Sequence, residues 1–161
     1  MIDKVVVGIS DINVVTKPGV LISYALGSCV GICLYDSIKG IAGMSHVLLP
    51  DSKMCPRDRN IMKFADTAIN ELIIRMQSQG AAKHRLTAKI AGGAQLFGNA
   101  ATGSILRIGD RNVEAVKEHL DRYKIRIISE DTGLNYGRTV EFNSSDGVVI
   151  ISSALKGTKS I

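Results

Sequence analysis

Cys29 and His46 are the one pair of residues in this chain whose types and placement suit covalent chemistry. A thiolate attacks carbonyl carbon and a thiol does not, so a nucleophilic cysteine needs a neighbour to take its proton. A free thiol titrates near ~8.5, and an adjacent imidazole can lower that by several units. The same imidazole can later return the proton to a departing amine. Ser23 is the candidate third member, a hydroxyl able to accept from the ring N–H. Backbone N–H groups around Gly27 and Ser28, in the small-residue turn that carries the cysteine, are candidates for holding an oxyanion. Against this stands the ordinary behaviour of free cysteine, which is among the most buried residue types and packs as a small hydrophobe. Pattern alone leaves both readings open, and a cysteine peptidase would use the same pair.

The elements that must position these residues are legible as apolar runs. Val20 to Leu26 leads into the Gly27-Ser28-Cys29 turn, a second apolar run follows, and His46 lies in a third, Ile41 to Leu49. The short connection at residues 37–40 folds the third run back beside the first two, so cysteine and histidine fall on neighbouring strands. If the first run is regular, Ser23, Ala25 and Gly27 share one face by the period of two. The polar loop PDSKMCPRDRN, residues 50–60, follows His46 and is expected to border the site.

The chain of 161 residues suits one domain, 1–161, with a core over about 5–151. Hydrophobic residues make up 45% and aromatics only 4%, so the core must rest on Val, Ile, Leu and Ala. No apolar run is long enough to span a bilayer, and the start MIDKVVVGIS lacks a signal-peptide pattern, so a cytoplasmic protein without membrane insertion is expected. Three cysteines without CxxC spacing argue against a disulfide framework or zinc ribbon. Cys29, Cys33 and His46 could in principle share a metal, but no fourth ligand is apparent, so no metal or other cofactor is expected. A net charge of +5 favours acidic partners. The basic residues are dispersed and not interleaved with aromatics, which sets nucleic acid aside.

Elsewhere, Val5 to Ile9 reads as a first strand, with a turn at Lys17-Pro18-Gly19 before the next. A helix is predicted from Asn60 to Gln79, capped by Asp58 or Asn60 and ended by Gly80. Residues 85–91 read as a strand ending in AGGA at 91–94, where close backbone packing outweighs phosphate binding because no nucleotide motif accompanies it. A short strand at 105–108 precedes a second helix, Arg111 to Tyr123, capped by Asp110. The remainder reads as strands at 125–129, 138–142 and 148–152, the last two joined by a turn at Asp146-Gly147, with a frayed tail after Ser153. Two helices among eight or nine strands give an α+β class: a mixed sheet or two packed sheets with helices outside.

Several stretches together resemble the CheD family of chemoreceptor glutamine deamidases: LGSCVGICLYD at 26–36, SHVLLPDS at 45–52, KFADTAINEL at 63–72, AKIAGGAQLF at 88–97, IGDRNVEAVKEHL at 108–120 and EDTGLNYGRTVEFN at 130–143. The resemblance implies an amidohydrolase that converts receptor glutamines to glutamates. Its nucleophile would fall on Cys29, its base on His46, and its third member, usually threonine, on Ser23. It also implies a β-sandwich of two mostly antiparallel sheets flanked by helices, similar to bacterial toxin deamidases. The implied partners are the chemoreceptor cytoplasmic domain and a CheC-type phosphatase, the latter giving an alternative role as a regulatory binding protein.

Overall fold

The computed structural model describes residues 2–96 and 107–161. The middle apolar runs are buried on both sides. In β4 (Val30–Asp36), Val30, Ile32 and Leu34 pack into one core cluster, whereas Cys33 packs into another together with Cys29, just ahead of the strand. β5 (Ile41–Val47) is buried at every position, with Ile41 and Val47 on the first side and Ala42 and Met44 on the second. Successive strand side chains point to opposite faces, so strands apolar on both must lie between two layers.

Those layers are helices on one side and a second sheet on the other. β4 and β5 are central in a five-stranded sheet of order β2-β5-β4-β6-β7, completed by β2 (Ile12–Thr16), β6 (Thr87–Gly92) and β7 (Arg126–Thr132). The facing sheet has order β1-β3-β8-β9-β10, from β1 (Lys4–Val6), β3 (Val20–Leu26), β8 (Arg138–Asn143), β9 (Val149–Ser153) and β10 (Gly157–Ser160). β1 pairs with β3 and β6 with β7 in parallel, and the other described pairs are antiparallel. Helices α1 (Ala65–Ser78) and α2 (Ile108–Arg122) both cover the outer face of the β4–β5 sheet. The expected α+β class, two mostly antiparallel sheets with two helices, therefore holds, with both helices on one side.

The departures from sequence expectation have local causes. β2 was not anticipated; it follows a turn in which Ser10 takes φ 58° and the Asp11 carboxylate accepts from the Ile12 N–H. α1 starts at Ala65 and not at Asn60 because residues 63–65 bond to the extended chain after β5: Lys63 O accepts from the Leu48 and Leu49 N–H groups, and Ala65 N–H donates to Leu49 O. Neither Asp58 nor Asn60 caps it; their side chains accept from Asn60 N–H and Met62 N–H in the preceding turns. α2 begins at Ile108, so Asp110 lies in its first turn and is not its cap. Most of the strand expected at 105–108 lies outside the described residues, and Ile108 itself is helical. The tail is not frayed: β10 pairs along β9, and Ile161 exchanges both backbone hydrogen bonds with Val149. Among the described residues no helix is long and apolar enough to cross a membrane.

At the far end of β4 the buried Asp36 carboxylate closes the β4–β5 turn. It accepts from the Ile38, Lys39 and Ala82 N–H groups and from Arg85 at 2.8–3.0 Å. Burial works to raise its pKa, but the Arg85 guanidinium and the backbone donors outweigh burial and hold it at about 2. The unfolded carboxyl titrates near ~3.9, so the unfolded chain binds the proton first as pH falls. This pair therefore contributes stability above that value, about 2 kcal/mol after allowing for solvent at Arg85, and loses it as pH falls toward 2. Urea midpoints between about pH 5 and 2 should fall less steeply for Arg85→Met than for wild type, from a lower starting stability.

Candidate active site

β3 belongs to one sheet and β4 to the other, so the Gly27-Ser28-Cys29 turn is where the chain crosses between them. β3 is not regular up to that crossing. Its register with β8 shifts between Ser23 and Leu26, and Ala25 takes φ 55°. Ser23 is therefore buried whereas Ala25 is exposed, and the expected shared face of Ser23, Ala25 and Gly27 is broken by the bulge. The bulge turns Leu26 back into the inter-sheet core beside Cys29.

The β4–β5 register puts His46 opposite Gly31, with Val30 opposite Val47. Cys29 lies two residues before Gly31 and packs in the inter-sheet core, and the His46 ring meets Ser23 of the opposite sheet, so thiol and imidazole share the face toward the second sheet. His46 is 1% exposed and Cys29 7%. From the opposite sheet Ser23 meets the ring: Ser23 Oγ lies 2.7 Å from His46 Nδ1 and 2.7 Å from the Val7 carbonyl oxygen. A carbonyl only accepts, so the hydroxyl proton is committed to Val7 O, and Nδ1–H must donate to Ser23 Oγ. In the neutral ring this leaves the lone pair on Nε2, which is buried and has no hydrogen-bond partner among the described residues. Sequence, sheet pairing and tautomer together produce a free base on the face that carries the thiol.

Burial governs both charges. It pushes the Cys29 thiol up from its ordinary value, against a smaller opposing effect of the residue's own N–H. It lowers His46 to about 4, against the backbone at Val7. Both directions favour a neutral thiol and a neutral imidazole, so the expectation that the ring depresses the thiol in the free protein is not met. The cause is desolvation, which disfavours either charged form.

The turn itself is held by its carbonyls. Gly27 O accepts from Ala94 N–H (2.9 Å), Cys29 O from Gly93 N–H (2.8 Å), and Ser28 O from the Asn112 amide Nδ2 (2.9 Å). The AGGA stretch is thus a brace for the cysteine turn. Gly92 takes φ 113°, and a Cβ there would overlap the Cys29 carbonyl oxygen. Asn112, fully buried on α2, also donates to Leu48 O at 3.0 Å, two residues after His46. Sequence reading missed Asn112, although it lies in helical phase with Val116 and Leu120, where an amide among apolar neighbours is the signal. It also missed the Val7 carbonyl, which no side-chain pattern announces.

The remaining candidates separate from this centre. The 50–60 loop is tied to α1 through Ser52, whose N–H and hydroxyl donate to Asp66 at 3.0 and 2.6 Å. Its Asn60 reaches Ser10 O (3.5 Å), and Ser10 N–H donates to His46 O (2.9 Å), so the loop approaches the histidine's backbone. Cys33 is fully packed between the sheets and its thiol is pushed far up by burial. No group of three or more His, Cys, Asp or Glu able to hold a metal occurs among the described residues.

Residues 48–153 match the family model for CheD, chemotactic sensory transduction. The chain belongs to the CheD family. Its relatives span essentially the whole chain: a probable chemoreceptor glutamine deamidase CheD of Lachnoclostridium phytofermentans is 49% identical over 159 residues, 99% of each chain. That of Clostridium novyi is 50% identical, over 99% of this chain and 98% of its own. The chemoreceptor glutamine deamidase CheD of Halalkalibacterium halodurans is 46% identical over the full length of both. The family model begins after Cys29 and His46, whereas the relatives' similarity extends over both.

Within this site Ser23 has a separable effect. Ser23→Ala leaves both Nδ1–H and Val7 O without their partner, at about 1–3 kcal/mol for each buried group, and frees the ring to take the other tautomer. Turnover should fall about tenfold or more, with the fold retained by circular dichroism, and Ser23→Thr should restore it. Undiminished turnover in Ser23→Ala would show that another group orients the ring.

Proposed function

We propose that this protein is a protein-glutamine amidohydrolase that deamidates glutamines of chemotaxis receptors, with Cys29 as nucleophile, His46 as base and acid, and Ser23 as the group that orients His46. The observation that carries the residue roles is the Ser23–Val7 relay, which leaves His46 Nε2 as an unoccupied acceptor on the thiol's face. The names of the relatives support the substrate class.

The sulfur attacks the side-chain carbonyl carbon as its proton passes to Nε2. Because burial keeps both partners neutral beforehand, transfer and attack are coupled, and the ion pair exists only beside a substrate that shields it. Backbone N–H groups of the 27–29 turn hold the oxyanion. Imidazolium returns its proton to nitrogen, the C–N bond breaks, and ammonia leaves a thioester. Water then attacks, His46 takes its proton, the C–S bond breaks, and the sulfur recovers the proton as glutamate departs. Amide plus water gives acid plus ammonia, with no cofactor required by this sequence.

Incubation of the protein with a receptor cytoplasmic fragment tests this by mass spectrometry. Selected glutamines should become glutamates with matching ammonia and an intact chain. Shortened peptides would mark a peptidase instead, and unchanged amides would overturn the function. The same resemblance makes a CheC-type phosphatase a second partner, competing with receptor for the surface over Cys29. Mutual exclusion in pull-downs supports that role, and absence of binding removes it.

A further inference from the structure

We propose that Asn112 is a positioning residue for the reaction: by holding the Ser28 carbonyl against α2, it aims the Cys29 N–H at the substrate oxyanion. This rests on the deamidase reading above.

The orientation follows from peptide geometry. Ser28 C=O and Cys29 N–H belong to one planar unit, and in a trans peptide they point in opposite directions. Lys17-Pro18 is the only cis bond among the described residues, so this unit is trans. Asn112 Nδ2 takes Ser28 O at 2.9 Å from the helix side of the sheet. The N–H of Cys29 must then face away from α2, toward the inter-sheet side where Cys29 packs. The flanking carbonyls of Gly27 and Cys29 are fixed by Ala94 and Gly93 through backbone bonds, which leaves the central peptide dependent on one side chain.

A second bond fixes the Asn112 amide in place. Its second Nδ2 proton goes to Leu48 O at 3.0 Å, so a single amide nitrogen joins the cysteine turn to the segment leaving His46. Both amide protons are consumed, and Oδ1 is buried without a partner among the described residues. A packing role alone would not favour a buried polar atom left unpaired, which is costly.

The test compares wild type, Asn112→Ala and the near-isosteric Asn112→Asp, whose carboxylate would face two carbonyl oxygens. The expected result is a fall in kcat of about 10- to 100-fold, with KM for the receptor fragment little changed. Alkylation of Cys29 by iodoacetamide forms no oxyanion, so its rate should stay within about twofold of wild type. By amide-proton NMR, the Cys29 resonance should move in both variants while those of Gly93 and Ala94, which hold the flanking carbonyls, stay in place. Unchanged kcat, a parallel fall in kcat and alkylation, or loss of the fold in both variants would each overturn the proposal. Wild type without glutamine conversion would count against the deamidase reading alone, because the NMR comparison still reports whether Asn112 orients the peptide.

Discussion

Cys29→Ala, incubated with a receptor cytoplasmic fragment, is expected to leave the glutamine amides intact while wild type converts them, a loss of about four orders of magnitude or more in turnover. The expectation rests on the division of labour at the site. On the proposed mechanism, removing the sulfur removes the nucleophile, whereas His46, Ser23 and Val7 keep their hydrogen bonds to one another. The lost volume is one small side chain at the end of the inter-sheet core, so the variant should fold and still bind receptor. His46→Gln should fall comparably, because it removes the free Nε2 acceptor. Equal conversion by Cys29→Ala and wild type would end the nucleophile assignment. The pH profile gives a second reading of the same pair. His46 must be neutral to act as base, and burial lowers it to about 4. The acid limb of kcat/KM should therefore lie near pH 4, and activity should be retained through the range where an ordinary histidine protonates.

The largest effect on stability is expected from Asp131→Ala. Arg138 is enclosed between the sheets, with its side chain 0% exposed; it donates to Asp131 at 2.9 Å, to Gly133 O and Tyr136 O, and lies 4.1 Å from the Tyr136 ring centre. Without Asp131 a buried guanidinium has no counter-charge, a defect that costs about 3–5 kcal/mol, a large part of a typical domain's total. Arg138→Met should cost less, since Lys159 still pairs with Asp131 at 2.6 Å and the Tyr136 hydroxyl still reaches it. The double variant Asp131→Leu/Arg138→Met should recover part of the loss. Urea midpoints at constant m read all three, and equal costs for the two single variants would refute the asymmetry. Leu26 pairs with Arg138 across β3 and β8, so this ion pair also steadies the strand that delivers Cys29.

Much of the site is legible in the sequence because its reactive groups are side chains of distinctive type. Cys29, His46 and Ser23 are singled out by residue type, whereas the face that Cys29 and His46 share follows from the β4–β5 register and not from the period of two, which the bulge at Ala25 breaks in β3. What escapes is carried by backbone. The Val7 carbonyl that sets the His46 tautomer, the bulge at Ala25 and the carbonyls of the 27–29 turn have no residue-type signature. The same limit explains the fold. The central strands are clear because they are apolar throughout, whereas β10, reading Gly-Thr-Lys-Ser, is exposed at every position and held by pairing with β9. The start of α1 is displaced because tertiary bonds to Leu48 and Leu49 compete with the helix for residues 63–65.

The groups that build the site are scattered along the polypeptide: Val7 and Ser23, which hold the His46 ring, come early, and the Gly93 and Asn112 partners of the cysteine turn come later. β3, which delivers the turn, finds its antiparallel neighbour only in residues 138–143. During synthesis, therefore, a ribosome-bound chain lacking its last quarter has the thiol but neither a completed sheet behind Ser23 nor the Leu26–Arg138 pairing beside the turn. Non-local assembly of this kind is slow and arrives as a unit. Deamidating power should accordingly appear only once residues 138–143 are available to pair with β3.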